Sequence, residues 1–175
     1  MRIVLIVLAV LLGIVVLVTL IGLALPRSHR ATSRISLRQP PARVWAVVRD
    51  LGALQGTWKE LRSARRLPDQ NGKELWEQNA GGWPMRLVVE QATPESRLVT
   101  RIDAPENAAF GGTWTYALVP KDGGTEVTIT EDGYVSNPIF RVMMVAMGVH
   151  RTIDGYLRAL GRKLGEPVEP VHLGK

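Results

Sequence analysis

Three histidines (His29, His150 and His172), sixteen carboxylates and no cysteine are the residues with which this 175-residue chain could do acid–base or metal chemistry. Without cysteine there is no thiol nucleophile, disulfide framework or thiolate metal site. The histidines are scattered, and no pair has the spacing that sets two imidazoles on one helical turn, so neither a metal nor a cofactor is expected. Gly81-Gly82 and Gly111-Gly112 lack the Lys-Ser/Thr of a phosphate loop and read as turns or bulges. No Ser/His/Asp combination is favoured by spacing. The catalytic residues are therefore unknown at this level, and the reading leans away from an enzyme.

Two polar residues stand out by position. His150 falls in an apolar seam of Ile139, Met143, Ala146, Ile153, Leu157, Leu160 and Leu164, whose steps alternate four and three. Glu131 continues the inward parity of Val127 and Ile129 on a strand. Both are expected to face the space between a helix and a sheet, as the polar fixtures of an apolar pocket. Trp114 and Tyr116 on a neighbouring strand, with Met143 and Met147 on the helix, would supply its walls. The competing readings are ordinary core packing for the aromatics and a wet rim position for the two polar groups.

The seam defines the element that must position them, a helix over residues 137–165. Asn137-Pro138 suits its start, and Gly165 followed by Pro167 its end. At about 1.5 Å per residue it would run on the order of 40 Å. Before it, residues 33–39 alternate as a strand and Pro40-Pro41 ends them. Residues 42–51 read as a helix with Val44, Trp45, Val48 and Leu51 on its stripe, and residues 53–61 as a second short helical turn around Trp58. Strands follow at 64–67, 74–79, 85–92, 97–103, 113–119 and 126–132, separated by turn residues such as Asn71-Gly72 and Asp122-Gly123. Strand, helices, antiparallel meander and terminal helix make an α+β domain.

Residues 3–25 contain no charge and no proline, enough to span a bilayer core of roughly 30 Å. A cleaved signal would have an apolar core of about 7–15 residues, and the stretch from Gly22 to Arg27 makes a poor cleavage site. The net charge is +6, but between residues 27 and 66 ten Lys/Arg face only Asp50 and Glu60. That charge sits beside the apolar stretch and suits an anionic leaflet. No zinc-finger spacing, aromatic-interleaved basic ribbon or basic recognition helix is present, so no nucleic acid partner is expected. Arg27, Arg30, Arg34 and Arg38 outnumber Arg2 and the amino terminus, which puts the domain in the cytoplasm by the positive-inside rule.

The order of pieces resembles a known superfamily. Residues 33–50, a strand meeting Pro40-Pro41 and then a Val44-Trp45 helix ending at Asp50, resemble the opening of START and polyketide-cyclase-like (SRPBCC) domains. Residues 112–120 and 123–133 and the terminal helix match as well, so the resemblance covers about 33–165. It implies a helix-grip fold, a curved antiparallel sheet wrapped around a long C-terminal helix with an apolar cavity between. It also implies that the ligand is a lipid or other hydrophobic small molecule. The expected organisation is a membrane anchor (1–26), a juxtamembrane tether (27–32), the helix-grip domain (33–165) and a loose tail (166–175). The expected function is a single-pass, membrane-anchored binding domain for such a ligand. A polyketide cyclase/dehydratase-like enzyme and a protein-interaction module with a filled cavity are the alternatives.

Overall fold

The computed structural model describes residues 1–105 and 107–174. Strand β1 (Ser28–Leu37) alternates cleanly: Ala31, Ser33, Ile35 and Leu37 are buried, and the residues between them point away. Pro40 and Pro41 end it and open helix α2 (Pro41–Arg49), which buries Val44 and Val48 completely. From Asp50 to Leu61 the chain runs through successive tight turns rather than the expected second helical turn, and Leu54 and Trp58 plug into the core from there. Gly52 begins this stretch, and the turn hydrogen bonds that follow never extend into a ladder long enough to be a helix.

Six strands then meander: β2 (Leu61–Gln70), β3 (Lys73–Ala80), β4 (Trp83–Thr93), β5 (Arg97–Ile102), β6 (Phe110–Lys121) and β7 (Gly124–Val135). Every pairing is antiparallel, and β1 returns to close against β7. The hairpins at Asn71-Gly72 and Asp122-Gly123 hold both loop residues at positive φ, the conformation that matches strand twist in two-residue loops. The strand order is β2-β3-β4-β5-β6-β7-β1-β8. The last of these, β8 (Val171–His172), lies against β1 with His172 opposite Ser33. Two expected boundaries shift as a result. Residues 28–32, read as tether, already belong to the sheet, and the tail returns to pair with it.

The expected single long helix is two helices. Helix α3 (Pro138–Met147) is capped by the Asn137 side chain, whose Oδ1 accepts from the N–H groups of Ile139 and Phe140. Gly148 then takes φ +88° and ends it. Helix α4 (Arg151–Lys163) begins after His150 and closes near Gly165, which sits at φ +79°. The corner at Gly148–His150 separates the two helices, so the apolar repeat of the sequence is shared between elements with different surroundings. Ile153, Leu157 and Leu160 of α4 are wholly buried in one cluster with Val44, Val48, Leu98, Val127 and Ile129. Each such side chain contributes about 1.5–3 kcal/mol of transfer free energy.

At the other end of the chain, helix α1 (Arg2–Ala24) is long and apolar enough to cross a membrane, and is exposed along nearly its whole length. Its C-terminal part, from Val18 onward, packs against α3. Gly22 lies so close to α3 that a Cβ there would fall 2.0 Å from the Pro138 carbonyl oxygen.

Candidate functional site

Between the concave face of the sheet and α4 lies a cavity of about 220 Å³. Strand pairing builds its wall in rows. Thr100, Trp114 and Glu131 lie side by side across β5, β6 and β7, and Leu98, Tyr116 and Ile129 form the adjoining row. From above, α4 lowers Tyr156 and Thr152 into it, and the turns after α2 contribute Leu51 and Trp58. Tyr156 is the hub of the aromatic wall. Its ring centroid lies 5.4 Å from Tyr116, 5.5 Å from Trp58 and 5.9 Å from Trp114, all at steep angles. Such edge-to-face packing is favourable, and these four rings line one side of the cavity. Burial pushes both phenols well above the ordinary tyrosine range, with Tyr156 adding to the shift on Tyr116. Both remain protonated hydroxyls at neutral pH.

A second, more open chamber of about 430 Å³ lies under α3. Met143, Met144, Met147 and Phe140 form its roof, and Trp83, Tyr134 and His29 its sides. The chambers adjoin at Ile102, Phe110, Glu131 and Thr152, which line both. Glu131 is the one carboxylate in either wall among the described residues. Its Oε1 lies 3.5 Å from Nε2 of His29, and both side chains are largely buried. Opposite His29, β7 carries Gly133, where a Cβ would come within 2.5 Å of the imidazole. The glycine is the condition for a histidine at that place.

The structure thus distributes the residues singled out from sequence. Trp114, Tyr116 and Glu131 line the inner cavity, and Met143 and Met147 the outer one. His150 lines neither and shares no hydrogen bond with Glu131, which corrects the expected pairing. The helix break explains why. His150 occupies the cap position of α4 instead of the middle of a continuous seam, and its ring turns toward β1 and β8. The histidine beside Glu131 is His29, which the sequence reading misses because residues 27–32 read as a tether. The inward parity of Ile35 and Leu37, extended back through Ser33 and Ala31, would have found it.

His150 belongs to a separate polar network. The Ser33 hydroxyl donates to Asp154 Oδ1 at 2.7 Å, and His172 Nε2 donates to Asp154 Oδ2 at 2.8 Å. Ser33 has a single proton, so its 3.1 Å contact with His150 is made by Nδ1–H of the imidazole donating. The two imidazoles stack at 3.9 Å. His150, Asp154 and His172 have donor atoms within 4.8 Å of one another, close enough to converge on a cation. Both carboxylate oxygens are nevertheless already engaged by Ser33 and His172. As built, the network fastens the C-terminal strand and the first turn of α4 to β1.

The comparisons with known proteins agree with this geometry. The family described as polyketide cyclase/dehydrase and lipid transport matches residues 28–165. Solved structures share the fold at low sequence identity. TTHA0849 from Thermus thermophilus superposes with TM-score 0.63 at 20% identity, covering 78% of this chain and 97% of its own. The Zhui aromatase/cyclase from Streptomyces sp. R1128 gives 0.64 at 14%, covering 78% and 94%. A conserved protein from Geobacillus kaustophilus gives 0.63 at 13%, covering 82% and 100%. No curated protein sequence matches the chain.

Proposed function

The chain belongs to the polyketide cyclase/dehydrase and lipid-transport family, and from that premise we propose that it is a membrane-anchored receptor for a hydrophobic small molecule or lipid held between sheet and α4. One observation carries the reading: an aromatic-walled inner cavity adjoins a methionine-roofed outer chamber, with a single carboxylate at the junction. Apolar walls with few polar groups are the ordinary design of a small-molecule site, the walls giving affinity and the polar groups orientation. The methionines suit a ligand of variable outline, because an unbranched thioether side chain adapts its shape cheaply. The inner aromatics are rigid and would select for a flat or slender apolar body.

The anchor is α1, whose 23 residues have the length and hydropathy to span. The excess of arginine just after it supports a cytoplasmic domain. A reporter active only in the cytoplasm, fused to the C-terminus, is expected to be active; an expressed but silent fusion reverses the assignment. The binding reading is tested by native mass spectrometry of the full chain released from detergent micelles. The parent is expected to carry an organic species. Thr152→Trp, which fills the junction, should lose that species while unfolding as cooperatively as the parent. A parent that emerges empty and stays empty after incubation with an extract of membrane lipids would overturn it.

A further inference from the structure

Helix α3 presents an apolar face that the rest of the domain leaves open. Ile139, Phe140, Met143 and Met147 share that face and are between 37% and 51% exposed. Trp83, 59% exposed, stands with its ring edge-on to Phe140 at 6.4 Å, extending the face onto the sheet. Contiguous apolar surface on this scale marks an interaction site, and its neighbour identifies the partner.

That neighbour is the end of α1. Arg141 of α3 is 2% exposed, and among the described residues its guanidinium donates only to carbonyl oxygens: Gly22 and Leu25 at the end of α1, and Val135 and Ser136 beside α3. A helix C-terminus carries unsatisfied carbonyls and partial negative charge, and α1 has no basic residue in its own last turn. Arg141 supplies the missing cation from another element. Together with the Gly22–Pro138 contact it locks the start of α3 to the end of α1. A 23-residue helix is about 35 Å long against a hydrocarbon core of roughly 30 Å. The last turn of a spanning α1 therefore lies at the headgroup boundary, and α3 is held at the same level.

We infer that α3 and Trp83 are seated in the lipid interface, so that the outer chamber opens into the bilayer and takes its ligand from there. This rests on the reading of α1 as an anchor. A helix of this kind buries its apolar face some 5–10 Å into the headgroup–acyl boundary, the depth at which tryptophan is also enriched. The ligand class follows: an amphiphile already partitioned into the membrane. Its apolar body passes Met143 and Met147 toward the aromatic cavity, and a hydrogen-bonding end remains at Glu131 and His29. No desorption into water is needed at any step, which sets the device apart from a carrier that shuttles through solution.

The test uses the full chain reconstituted into phosphatidylcholine vesicles, with acyl-chain-brominated phosphatidylcholine as a contact quencher of tryptophan. The parent is expected to resist an alkaline carbonate wash and to be quenched. Trp83→Phe should lose most of that quenching, and so should Phe140→Glu combined with Met143→Glu, whose exposed sites tolerate the change in the folded domain. Resistance to the wash with undiminished quenching in Trp83→Phe would overturn the seating and leave the anchor standing. Undiminished quenching in the doubly charged variant would do the same. Release by the wash would overturn the anchor, and the seating with it.

Discussion

Helices α3 and α4 come from one unbroken apolar repeat, yet they live in opposite surroundings. Ile153, Leu157 and Leu160 of α4 are at zero exposure under the sheet, whereas Ile139, Met143 and Met147 of α3, roughly two to four turns before Ile153 in the same seam or beside it, are a third to a half exposed. Periodicity says that a face is apolar. It does not say what covers it. For α4 the cover is the concave sheet; for α3 the same face roofs the open ligand chamber and, with the domain seated as inferred, meets lipid at its mouth. Gly148 makes the division possible, because its positive φ ends α3 and lets the chain turn before α4 begins.

The largest expected effect tests that contrast directly. Leu157→Ala empties a fully buried site in the main cluster and should cost about 2–5 kcal/mol of stability. Met143→Ala removes a side chain of similar size from α3 and should cost no more than about 0.5 kcal/mol in detergent solution. Denaturant unfolding of both variants measures the difference. Equal losses would mean that α3 is as much a part of the core as α4, and would remove the reason for giving it another partner.

Much of the fold was legible because its signals are local. The alternation of β1, the Asn-Gly and Asp-Gly hairpins and the proline-started helices each follow from residue types at short range, and the α+β order follows from their sequence. Trp114, Tyr116 and Glu131 were placed on the inner face by strand parity alone, which no bulge interrupts between Val127 and Glu131. What failed was whatever depended on a break or a return. The glycine at 148 could have been a tolerated helix interior residue, and only its φ decides otherwise. His172 reaches β1 through a tail whose prolines suggest looseness, so the stacking of two histidines 22 positions apart in sequence left no trace in spacing. Arg141 likewise sits in an apolar helix as an apparent misfit until the end of α1 is brought to it.

A second, intermediate effect concerns that arginine. Arg141→Met keeps most of the apolar stem but removes every hydrogen bond to the four carbonyls. Hydrogen bonds from a charged donor contribute about 1.5–3 kcal/mol, and here the loss should be local. Hydrogen exchange is expected to speed up across α3 and the last turn of α1 while α4 keeps its protection. Gly22→Leu offers an independent route to the same result, since its side chain would collide with the Pro138 backbone. If α3 exchanges no faster in either variant, the joint with α1 does not hold it. Uniform acceleration through α4 would instead make α3 and α4 one cooperative unit and dissolve the contrast between them.

The smallest expected effect lies at the hinge itself. Burial lowers the His150 pKa below its ordinary value of 6.5, and His172 stacked against it lowers it further, with Asp154 and then Glu131 pulling in the opposite direction. The sign follows from proton counting. Between the folded pKa and 6.5 the unfolded chain binds a proton at this position that the folded chain does not, so stability falls as the pH drops through that window. Above 6.5 both states are neutral at this site and the contribution is flat. His150→Gln cannot take up the proton, and its side-chain amide can still donate toward Ser33. The variant is therefore expected to lose less stability than the parent between about pH 7 and pH 5.5, with the gap closing above about pH 7. Paired thermal melts across that range measure it. A parent that gains stability on acidification relative to the variant would mean that Asp154 outweighs burial, and that the hinge between the covered and uncovered helices tightens in acid rather than loosening.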